Sequence, residues 1–162
     1  MGVESVQGTQ ERRLVQRVMA YWVDLRGERR FPRLAEVSSC ALGEDWQWCF
    51  VLDLKTADPF PIFQYLGTDL CKLSGIFLSG KNDWTSTVLD KVTERVDEVK
   101  ALQASVMVED ELRLFNQQRL LFRFVMLPLG EDDRLTHVLG AGNGMLVPDT
   151  AHLVNPECTH AA

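Results

Sequence analysis

Apolar residues in this chain recur first at helical spacing, then at alternate positions, then at helical spacing again, and alternate once more towards the end. The first helical stretch carries Leu14, Val18, Trp22 and Leu25 three or four positions apart, with Val15, Met19 and Tyr21 widening the stripe. Arg12, Arg13, Gln16, Arg17 and Asp24 fall on its other faces. This predicts an amphipathic N-terminal helix over 9–26, capped by Thr9 and stopped by Gly27, with residues 1–8 as a flexible tail. Pro32 then breaks the chain, and 33–37 reads as one further helical turn.

From Trp46 the period shortens. Trp48, Phe50, Leu52 and Leu54 alternate with Cys49, Val51, Asp53 and Lys55, the mark of a strand. Asp58, Pro59 and Pro61 supply a turn, and 62–68 a second strand with Phe63 and Tyr65 on one face and Gln64 on the other. Asp69 caps a short helix ended by Gly75. Asp83 caps a longer one reaching about Ala104, with Val88, Val92, Val96 and Val99 as its buried stripe and Asp90, Glu94, Asp97, Glu98 and Lys100 in solvent.

The last third reads as three strands: 106–115, 119–127 and 135–145. In the middle one Leu120, Phe122, Phe124 and Met126 alternate against Arg119 and Arg123, so the uncharged set faces the core. Pro128 is expected to end that strand, 130–133 to form a hairpin loop, and 148–162 to be a flexible tail. A hairpin, a helical excursion and a three-stranded meander combine into one five-stranded antiparallel sheet with helices over one face. The class is α+β, in a single domain spanning 9–147.

The 162 residues suffice for one hydrophobic core, and 46% apolar with 25% charged residues is ordinary for a globular chain. The net charge of −6 argues against nucleic-acid binding, which relies on clustered Lys and Arg. Arg26, Arg29, Arg30 and Arg33 are interrupted by Glu28 and read as a solvated helix end or loop. No apolar run reaches membrane-span length, and 1–13 has no apolar signal segment. Gly2 is followed by Val6 where a myristoylation signal needs Ser or Thr. These features predict a cytoplasmic protein with Cys40, Cys49, Cys71 and Cys158 reduced, Cys49 and Cys71 acting as small hydrophobes, and no metal site.

Catalytic motifs are missing too. There is no G-x-S-x-G, and the acidic groups Asp132 and Asp133, and Glu109 to Glu111, sit in an expected turn and an exposed strand. The run Gly140-Ala141-Gly142-Asn143-Gly144 lacks the spacing and following helix of a dinucleotide fingerprint. It fits instead a strand that lies against a close neighbour where a side chain has no room. His137 falls beside Leu135 and Leu139, where it reads either as a buried core histidine or as a pocket-lining or haem-ligating one.

Three segments together resemble a divergent bacterial PAS-like family of small stand-alone domains. The stretch from Phe122 to Gly140, FRFVMLPLGEDDRLTHVLG, resembles its closing strand–turn–strand. Ala20-Tyr21-Trp22, Leu25-Arg26-Gly27 and Pro32 resemble its opening helix and exit, and Phe63 to Thr68 its second strand. The likeness covers roughly residues 14–147. It implies a sensory or regulatory domain that is not an enzyme and binds a small ligand or a signalling protein. The alternative is a pure interaction module with a solid core. The resemblance further implies an inner sheet face lined by Phe50, Leu52, Phe63, Tyr65, Leu120, Phe122, Phe124, Met126, Leu135 and His137. Within that set Phe63, Tyr65, Phe122, Phe124, Met126 and His137 are the pocket candidates, with Tyr65 and His137 as polar handles for a ligand. The ligand itself stays unassigned; haem and flavin are the cofactors weighed. A homodimer is expected through Leu14, Val18, Trp22 and Leu25.

Overall fold

The computed structural model describes residues 2–55, 62–75, 87–113 and 118–148, with side chains placed from Arg12 onward. The N-terminal helix α1 spans Gly2–Arg26 and ends at Gly27, whose φ of +59° suits a residue without Cβ. It starts at Gly2 rather than Thr9, so the expected tail over 2–8 is helical. Once a downstream turn has nucleated, adding residues is cheap, and no proline precedes Thr9 to stop it.

After a 3-10 turn at Leu34–Glu36, helix α2 spans Ser39–Leu42, and a second 3-10 segment covers Gly43–Trp48. Strand β1 therefore begins at Cys49 and ends at Asp53, later than the alternation from Trp46 implied. Strand β2 is Ile62–Leu66, and helix α3 is Thr68–Gly75. The expected turn at Asp58 to Pro61 and the Asp83 cap lie outside the described residues. Helices α4, Val88–Thr93, and α5, Val96–Leu102, follow, broken at Glu94 and Arg95 where one helix was expected. Thr87 accepts the Asp90 N–H at 3.2 Å, and Asp90 accepts the Thr87 N–H at 2.7 Å, which caps α4 reciprocally. The stripe Val88, Val92, Val96 and Val99 is buried as its spacing predicted.

Strands β3, Val106–Arg113, β4, Gln118–Glu131, and β5, Arg134–Pro148, complete the sheet. Among the described residues the five strands form one antiparallel sheet in the order β2-β1-β5-β4-β3. The first and last strands of the chain order thus meet at its centre. Asp132 adopts a φ of +54° in the tight β4–β5 turn.

Pro128 lies inside β4, not at its end. Its pairing with β3 stops at Met126, so its missing N–H removes no ladder bond on that side. The open edge there is closed from α1 and the chain that follows it. The Trp22 indole donates to the Pro128 carbonyl at 2.8 Å, and the Gly130 N–H donates to the Pro32 carbonyl at 3.0 Å.

The sheet is covered on both faces, not one. On the inner face Phe50, Leu52, Leu120, Phe122, Phe124, Met126 and Val138 meet Leu70, Leu73 and the valines of α4 and α5. On the outer face Val51, Val125, Leu127, Leu129, Leu139 and Ala141 meet Leu14, Val15, Val18 and Trp22 of α1. Full burial of each such side chain contributes about 1.5–3 kcal/mol, so α1 is an integral wall of the domain.

Candidate functional site

The glycine run of β5 explains how the inner face is filled. Gly140, Gly142 and Gly144 alternate on that face, opposite the large side chains of neighbouring strands. A Cβ on Gly140 would stand 1.9 Å from Cζ of Phe50, and one on Gly142 would stand 2.5 Å from Cγ of Phe124. The rings occupy the volume that side chains on β5 would have taken. They also meet one another: Phe50 and Phe63 edge to face at 5.6 Å, Phe50 and Phe124 tilted at 6.3 Å, and Phe122 and Phe124 edge to face at 6.0 Å. Phe50, Phe124 and Met126 are completely buried, and Phe122 nearly so.

Of the pocket candidates, Phe63, Phe122, Phe124 and Met126 come together in this layer. Tyr65 does not. Val51 pairs with Tyr65 and Leu52 with Phe63, so the strand is bulged at Gln64, and Tyr65 turns to the outer face although alternation put it with Phe63. There it stacks on Trp46 at 4.1 Å and 12°, and its hydroxyl donates to the Trp46 carbonyl at 2.9 Å. Burial pushes its phenol above the ordinary value.

His137 also leaves the inner face. It lies opposite Asp53 and Leu129 and shares parity with Leu139 and Ala141, all on the α1 side. Its Nδ1 is 2.8 Å from Oγ1 of Thr136, and its Nε2 is 3.8 Å from Oδ1 of Asp53. Burial lowers its pKa from the ordinary 6.5, with Asp53 opposing that shift. Leu135 is half-buried opposite Gly130, beside an irregularity in the β4–β5 ladder.

Three of the four side chains expected at a dimer seam are occupied by their own sheet. Leu14, Val18 and Trp22 are buried against it, and Leu25 is half-buried. The cysteines divide: Cys49 is buried, its thiol pushed up to about 12 by burial and the nearby Asp45, whereas Cys40 and Cys71 are exposed. Cys71 is thus a surface residue of α3 rather than a core one. Cys158 lies outside the described residues.

Sequence reasoning did not anticipate a groove of about 380 Å³ on the outer side, lined by Arg13, Leu14, Arg17, Glu44, Asp45, Trp48 and Asn143. It gathers α1, the 3-10 segment and β5, which are far apart in sequence. Arg17 and Asp45 bridge it with two hydrogen bonds of 2.7 Å. No periodicity marks such a site; the only local sign is polar Asn143 within the otherwise apolar and glycine run from Val138 to Val147.

An antiparallel sheet in this order, with a helical excursion between its second and third strands, defines an α+β domain. A family model described as PAS domain matches residues 11–142, and the chain belongs to that family. No curated protein matches it. Membership makes the chain a sensory or signalling type of module. Among the described residues no helix is long and apolar enough to cross a membrane.

Proposed function

We propose that the chain is a non-catalytic regulatory PAS module that acts by contact with a partner protein, its interior filled by its own aromatic side chains. The observation that carries this reading is the seating of Phe50 and Phe124 directly on Gly140 and Gly142. An interior haem or flavin needs open volume against the sheet, and on the described inner face interlocked rings take that space. The polar groups expected to orient an interior ligand, Tyr65 and His137, are on the opposite face and engaged there. A second copy of the chain is one such partner, and light scattering at micromolar concentration reads it directly.

The test is Phe124→Trp. In a filled layer the larger indole overpacks and destabilises by about 1–3 kcal/mol, and added haem or flavin leaves the melting temperature of the unaltered protein unchanged. The reading fails if the substitution is tolerated and a cofactor stabilises the unaltered protein but not the variant.

A further inference from the structure

The outer groove holds charges that its own walls do not neutralise. Arg17 and Asp45 satisfy each other across it. Arg13 and Glu44 both line the groove, yet among the described residues neither has an ion-pair partner and they are not paired with each other. Trp48 and Leu14 add an aromatic and an aliphatic wall. One free cation, one free anion and one indole therefore line a volume within the range of small-molecule sites.

We propose that this groove binds a small zwitterion of the α-amino-acid class, with its carboxylate on Arg13 and its ammonium on Glu44. Guanidinium and carboxylate pair through parallel hydrogen bonds. An ammonium pairs with an acidic side chain and also favours the face of an indole. Single-charge ligands fit worse. A simple carboxylate leaves Glu44 repelling it, and a simple amine meets Arg13. The site lies on the face opposite the aromatic layer, so it is independent of whether the interior is filled. Its bridging of α1 to the segment before β1 makes it an input that could alter how α1 is presented to a partner.

Because Arg13 and Glu44 are exposed, their ion pairs are screened, and a dissociation constant of about 0.1–1 mM is expected. The experiment is amide NMR of the isotope-labelled full chain, titrated with each of the twenty standard amino acids. Hits are then repeated as N-acetyl and C-terminal amide forms. At least one amino acid should shift the amides of residues 13–17, 43–48 and 141–145, and both capped forms should bind at least tenfold more weakly. Arg13→Gln and Glu44→Gln, both surface changes, should each weaken binding at least tenfold while leaving the rest of the spectrum in place. The proposal is overturned if no amino acid shifts these amides, if the hits survive both substitutions, if a capped form binds equally well, or if the shifts centre on Phe50 and Phe124.

Discussion

Replacing Gly140 with Ala adds one methyl group to the centre of the sheet, and its effect depends entirely on Phe50. In a strand that can accept a side chain, Gly→Ala usually stabilises by about 0.4–1 kcal/mol, because the unfolded chain loses freedom. Here the new Cβ would lie 1.9, 2.2 and 2.4 Å from three atoms of the Phe50 ring, far inside ordinary contact. That ring is wholly buried and held by Phe63 and Phe124, so it cannot swing away without displacing them. Overpacking of this kind costs about 1–3 kcal/mol. For a chain of this size that is roughly 2–12 °C in melting temperature. Urea unfolding monitored by tryptophan fluorescence reads the change directly. A double-mutant cycle with Phe50→Leu isolates its origin, since the smaller side chain makes room for the methyl. The two substitutions should be less damaging together than their sum by at least about 0.5 kcal/mol. A neutral or stabilising Gly140→Ala, or strict additivity with Phe50→Leu, would refute the ring-over-glycine packing.

Three further outcomes follow from the geometry. Val18→Asp places a carboxylate on the fully buried side of α1, so circular dichroism should show loss of the fold itself; a folded monomer released from a dimer would contradict that position. His137 is held below its ordinary pKa of 6.5 by burial, so the unfolded chain takes up the proton first. Its stabilising effect is complete above about pH 6.5 and is lost as the pH falls below that value; His137→Gln should flatten the urea midpoint between about pH 5 and 8, and an unchanged slope would exclude His137 as its source. In native protein a thiol-alkylating reagent should modify Cys40 and Cys71 rapidly and Cys49 only on unfolding; peptide mapping that finds Cys49 modified alongside the others would be inconsistent with its burial.

Much of the architecture was legible because it rests on local period. The stripes of α1 and of the four valines, and the alternation from Leu120 to Met126, survive intact in the structure. What periodicity missed depends on neighbours. The unbroken apolar run from Phe124 to Leu129 signals burial on both faces. With weight given only to Arg119 and Arg123, the outer cover by α1 went unread. A one-residue bulge at Gln64 reverses the face of Tyr65, and nothing in the local sequence announces it. Pro128 ends a strand by propensity but is tolerated where the next strand has already stopped. The glycine run was rightly read as close approach rather than a phosphate loop, but its partners, Phe50 and Phe124, come from separate strands. The outer groove was invisible for the same reason: Arg13, Glu44 and Asn143 meet only through the tertiary fold.

Native mass spectrometry of the protein recovered from the cells that make it, without added ligand, addresses the filled interior most directly. The account predicts the mass of the bare chain, or of a complex with a second polypeptide, and no haem- or flavin-sized adduct. A stoichiometric adduct of that size, released on unfolding and lost in Phe124→Trp, would place a ligand where the aromatic layer is said to leave no room.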